Sequence, residues 1–175
     1  MNKELHSYHS PCRDLFEGII IDCAPYFWHV KTALKYLPES ELHSLSGNLY
    51  ITSTTSRGAC RLSRALCETK EIIILSERIM PPQKPSEDDE IFRYFIFVVL
   101  HEVAHVIKKH RSPLYDELTL EEAEKQEDEA NKLALDWFNA HVINRRNPNL
   151  QELSQEEIER SSALFDKKTI SAHPS

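Results

Sequence analysis

The strongest constraint on the fold is one stretch, Ile91 to His110, which reads IFRYFIFVVLHEVAHVIKKH. From Ile91 to Leu100 only Arg93 is charged. A helix so apolar on every side has no face to give to water, so the remaining chain must pack around it. The run is interrupted at once by His101 and Glu102, so it is too short to span a membrane. Its ends are marked. Ser86 is the expected N-cap after Pro85, with Glu87, Asp88 and Asp89 in the first turn. Lys108, Lys109 and His110 bring positive charge to the C-terminal turn, where the dipole favours it, and Pro113 lies beyond.

Inside this stretch stands His101-Glu102-Val103-Ala104-His105, an H-E-x-x-H pattern. Residues four apart on a helix share a face, so the two imidazoles can bind one metal ion, with Glu102 beside its open position. With 9 His in the chain, shuffling would produce roughly 0.05 such matches. Burial strengthens the reading, because two His and a Glu on an inward helix need partners, and a metal supplies one.

The preceding chain is expected to form a helical region and then strands. Residues 1–9 are polar and expected to be loose. Ser10-Pro11 starts a helix in which Leu15, Phe16, Ile19, Ile20, Cys23, Phe27, Val30 and Leu34 recur at helical spacing, with a kink or break at Pro25. Phe27 and Trp28 are expected in the core. Leu49–Thr54, Ala59–Arg64 and Glu71–Ser76 have strand character, with a turn at residues 55–58. Three consecutive short strands predict a small, mainly antiparallel sheet packed on helices, an α+β fold. An exposed edge of such a sheet can accept an extended peptide.

Zinc requires a third protein ligand. Thr119 and Glu122 form a capping box that opens a helix running to about Asn144, and Ser154 with Glu157 repeats it for a short final helix. The apolar stripe of the first of these is Ala123, Ala130, Leu133, Ala134, Trp137 and Phe138. At about 100° per residue, Glu127 falls within roughly 50° of the stripe's centre, while Glu124 and Glu129 fall near 110° away. Glu127 is the carboxylate aimed inward.

His101-Glu102-Val103-Ala104-His105 followed by Glu127-Asp128-Glu129-Ala130-Asn131 resembles the gluzincin metallopeptidases, most closely the ImmA/IrrE type. The resemblance covers about residues 47–140. It implies a zincin-like fold around the central helix, one Zn²⁺ per chain on His101, His105 and Glu127, and Glu102 as general base. It also implies that Asn131 braces a ligand His, and that the substrate is a protein or peptide, such as a transcriptional regulator. Leu133 replaces the family's usual Phe, and Asp136-Trp137-Phe138 its Leu-rich ending. Tyr115, His110, His141 and Arg145 are candidates for an oxyanion donor, none of them singled out.

The expected organisation is one domain over residues 10–166 with a flexible tail at 167–175. The net charge of −7 and the lack of a basic stripe argue against direct nucleic-acid binding. The first residues carry no apolar segment of the signal-peptide kind, and Cys12, Cys23, Cys60 and Cys67 lack C-x-x-C spacing. Free thiols and a cytoplasmic location are the expectation. The alternative to an enzyme is a non-catalytic module that keeps the fold, and the metal, to bind a partner; retention of Glu102 favours the enzyme.

Overall fold

A computed structural model describes residues 18–23, 26–55, 60–62, 70–81, 86–112, 116–145 and 150–171. The order is β1 (Ile20–Asp22), α1 (Phe27–Leu34), α2 (Glu39–Leu45), β2 (Leu49–Thr54), β3 (Cys60–Leu62) and β4 (Glu71–Ser76). A 3-10 turn (Glu77–Ile79), α3 (Glu90–Lys108), α4 (Leu120–Arg145) and α5 (Gln155–Ser171) follow. The fold is α+β, as expected.

Helix α3 is the hub. It packs against α1, α4, α5, β3 and β4, and Phe95, Ile96, Val99, Leu100, Val103 and Ala104 are completely buried. Each large apolar side chain so buried stabilises the fold by about 1.5–3 kcal/mol. The helix begins one turn later than expected: its N-cap is Asp89, not Ser86, and the Asp89 carboxylate accepts from the Phe92 N–H at 3.0 Å. Several acids in a row make the start legible but not its register.

The sheet corrects the expectation most. It has four strands in the order β1-β2-β4-β3. β1 runs parallel to β2, and β2 parallel to β4; the antiparallel pair is β3 with β4. The sheet is therefore mainly parallel. Parallel neighbours need long crossovers, and β1 reaches β2 through α1 and α2. β4 inserts between β2 and β3, so those two consecutive strands are not paired.

Strand β1 lies where helical spacing predicts a helix. Ile19, Ile21 and Cys23 are buried in alternation, yet in so short a run Ile19, Ile20 and Cys23 also fit a helical period. Gly18, with φ +95°, precedes the strand, and a Cβ there would lie 2.8 Å from the Gly47 nitrogen. That close approach sets β1 beside β2 and excludes any larger residue.

Elsewhere, Trp28 is 64% exposed rather than in the core, while Phe27 is buried. The capping box at Thr119 forms in full, Glu122 N–H donating to Thr119 Oγ1 (3.1 Å) and Thr119 N–H to Glu122 Oε2 (2.9 Å); at Ser154 only half of it forms, Glu157 N–H donating to Ser154 Oγ (3.2 Å) while the Glu157 carboxylate is taken by Arg93. Helix α5 continues to Ser171 through the start of the expected tail. The helix start at Ser10, residues 1–9, Cys12, Cys67 and Pro25 lie outside the described residues. Cys23 is a free thiol, its pKa pushed up to about 12 by burial and by Asp22 and Glu77. No helix among the described residues is long and apolar enough to cross a membrane.

Candidate metal centre

Helix α3 delivers His101 and His105 from one face, and the Nε2 atoms of the two rings lie 3.0 Å apart. Helix α4 crosses against this face and brings Glu127, whose Oε2 is 3.3 Å from His101 Nε2 and whose Oε1 is 3.5 Å from His105 Nε2. The connector between the helices sets this register. Arg111 N–H donates to Gln126 Oε1 at 2.6 Å, its guanidinium pairs with Glu122 at 2.8 Å, and Ser112 N–H donates to Asp116 Oδ2 at 2.7 Å. The position next to Glu127 is thereby tied to the end of α3.

These three residues form a group that could hold a metal ion. Around a tetrahedral zinc with ligand bonds of about 2.0–2.1 Å, ligand atoms stand roughly 3.3 Å apart. The two imidazole nitrogens are 3.0 Å apart, and each meets a different Glu127 oxygen, Oε2 at 3.3 Å from His101 and Oε1 at 3.5 Å from His105; with one ligand atom taken from each residue, the three lie within 4.8 Å of one another. Two imidazole nitrogens and a carboxylate oxygen are also a donor set that zinc accepts.

The electrostatics have the sign a cation needs. Burial disfavours the imidazolium of His101, but the Glu127 hydrogen bond and the charges of Glu102 and Glu127 outweigh it and raise the pKa. The hydrogen bond to His101 holds the Glu127 carboxyl below its usual range, against its own desolvation. The cluster stabilises positive charge between its three members. Glu127 is 55% exposed at its side chain, against 15% and 12% for the two histidines, so the group opens to solvent on the α4 side.

Glu102 is buried, and its charge acts on His101. Asn131 approaches His101 closely enough to favour its charged form. His101 Nδ1 itself is buried and makes no hydrogen bond. Of the oxyanion candidates, His110 sits behind His105 with its Nδ1 2.9 Å from His105 Nδ1. His141 stacks on the Tyr36 ring at 4.0 Å, and Arg145 pairs with Glu87 at 2.6 Å. Tyr115 lies outside the described residues.

Two contacts are not legible in the sequence, the first of them that of His110, an oxyanion candidate, with His105. His110 stands five residues beyond His105, a spacing that a continuous helix would send about 140° away. The chain instead closes α3 in a Schellman turn: Lys109 adopts φ +54°, its N–H meets Val106 O, and His110 N–H meets His105 O. The usual signal, a glycine, is absent. The second is that of Arg93, which is 5% exposed. It grips Glu157 with two hydrogen bonds (2.7 and 3.1 Å) and donates to the carbonyls of Gln151 and Glu152.

Comparison with known proteins finds no matching family model, no matching curated protein and no matching solved structure. The functional case stands on the residues themselves.

Proposed function

We propose that the protein is a zinc-dependent endopeptidase of zincin-like fold, similar to the ImmA/IrrE-type gluzincins, that hydrolyses a peptide bond in a protein substrate. The observation that carries this reading is the convergence of His101, His105 and Glu127, whose ligand atoms lie within 4.8 Å of one another in a group that could hold one metal ion. Zn²⁺ bound there supplies a Lewis acid and an activated water near neutral pH.

The chain's own residues do the rest. His101 and His105 offer neutral Nε2 lone pairs, and Glu127 offers a carboxylate oxygen and one negative charge. Glu102 takes a proton from the attacking water and returns it to the amine released when the C–N bond breaks. Hydroxyl thus goes to the carbonyl carbon and hydrogen to the nitrogen. A buried carboxylate between two ligand histidines has no use in a purely structural site, which favours an enzyme over a partner-binding module. A regulatory protein is the substrate class that the resemblance supports.

The test is metal content and peptide hydrolysis of untagged protein. We expect about one zinc per chain, and for Glu102→Gln the same zinc with hydrolysis reduced by about 10²–10⁴-fold. Absence of bound metal after zinc is added back would sink the reading. Equal hydrolysis by Glu102→Gln would remove Glu102 from its role.

A further inference from the structure

We propose that His110 and Glu129 are positioning residues that hold His105 in its Nδ1–H tautomer, turning a bare Nε2 toward His101 and Glu127. This rests on the metal reading above.

With His110 as a neutral imidazole, the contacts assign the protons. His110 Nε2 lies 3.3 Å from Glu129 Oε2. An ionised carboxylate only accepts, so the proton in this contact belongs to His110 Nε2. In a neutral imidazole the other nitrogen is then an acceptor. His110 Nδ1 faces His105 Nδ1 at 2.9 Å, so the proton between them is carried by His105. Once Nδ1 of His105 bears the hydrogen, its Nε2 is a lone pair, and that atom faces His101 Nε2 and Glu127 Oε1. The relay therefore runs from Glu129 through His110 to His105, and its far end is the nitrogen a metal would take.

The two ligand histidines are supported unequally. Nδ1 of His101 has no hydrogen-bond partner, while Nδ1 of His105 has a buried ring dedicated to it. A ring fixed by an outer hydrogen bond needs less ordering when the ion binds, and loss of such a group weakens metal affinity by about 10–100-fold. The Schellman turn at Lys109 makes the contact possible by folding His110 back over the helix end. Glu129 reaches it from α4, two residues beyond Glu127. Its other oxygen is 4.0 Å from Lys125, an exposed side chain.

The experiment is zinc affinity by competition with a chromophoric chelator, for wild type, His110→Leu, His110→Asn and Glu129→Ala. The absorption of the cobalt-loaded proteins and their melting in EDTA complete it. Leu fills the space without an acceptor, whereas the Asn Oδ1 stands where His Nδ1 did. We expect His110→Leu to bind zinc about 10–100-fold more weakly, with a shifted cobalt spectrum. His110→Asn should stay within about threefold of wild type, because the acceptor survives, and Glu129→Ala should lose about tenfold. Wild-type affinity in His110→Leu overturns the proposal, and so does an Asn variant as weak as Leu, which would mean packing alone. If His110→Leu does not fold, unchanged affinity in half-exposed Glu129→Ala overturns it instead. A wild type that binds no zinc overturns the metal reading and this inference together; tight wild-type binding untouched by these substitutions overturns this inference alone.

Discussion

The two ends of helix α3 bury polar groups in opposite ways. At the N-terminal end Arg93 makes four hydrogen bonds, two to Glu157 and two to backbone carbonyls, and its guanidinium lies over the Phe138 ring. At the C-terminal end His101 and His105 point nitrogens at each other across 3.0 Å and share one carboxylate, and His101 Nδ1 is buried without a hydrogen bond. One set of groups is complete as it stands; the other is arranged around a point that a cation would occupy. An open cavity of about 380 Å³ lies at the Arg93 end, lined by Glu90, Arg93, Glu157 and Arg160 among others. Those four are paired with each other, Arg93 with Glu157 and Arg160 with Glu90. Concavity alone is therefore a poor guide here. Under-satisfied donors and acceptors that converge are a better one.

If this contrast is right, substitutions at the two ends have separable consequences. The largest effect should come from His105→Ala, which removes a ligand. Zinc affinity should fall by more than about 100-fold, beyond the range of outer groups, with the melting temperature in EDTA little changed. A variant that binds zinc as tightly as wild type would erase the distinction between the two ends.

Arg93→Ala should do the reverse. It strands Glu157, which is 17% exposed, and two carbonyls, so urea denaturation should report a loss of about 3–5 kcal/mol. Zinc bound per folded chain should stay the same; a loss below about 1 kcal/mol would show that the pair is mere surface decoration.

Smaller changes refine the picture at each helix terminus. Asp89→Ala deletes the cap on Phe92 N–H and should lower stability by about 1 kcal/mol without touching metal affinity. Lys109→Gly should raise stability by up to ~1 kcal/mol, because a side chain at φ +54° is strained. Its zinc affinity should hold, since His110 keeps its place; a drop would show that the lysine itself tunes the turn.

The central helix and the proposed ligand trio could be read directly because both are local periodicities. Nine apolar residues around Arg93 demand burial whatever surrounds them, and His101 with His105 share a face on any helix. Glu127 was readable as the residue that meets the two histidines, because the stripe of α4, including Ala130, Ala134, Trp137 and Phe138, sets which side of the helix faces α3, but its side chain is 55% exposed rather than turned into the core. The N-caps at Thr119 and Ser154 bond within four residues and both form, although the Glu157 carboxylate that would complete the second capping box is drawn off to Arg93.

What the sequence left open depends on residues far apart in the chain. Strand order is one case: β4 slips between β2 and β3, and Ile20–Asp22 becomes a strand by lying beside Tyr50–Thr52. No local period distinguishes that arrangement from three hairpin-linked strands, because a pairing partner is chosen by the packing of the whole sheet on α3. Arg93 and Glu157 are 64 positions apart, and charge alone does not select one glutamate among 28 acidic residues. His110 meets His105 through a left-handed lysine where a glycine would have announced the turn. Short-range hydrogen bonding and side-chain periodicity are written residue by residue; contacts between distant segments are settled by the free energy of the packed whole.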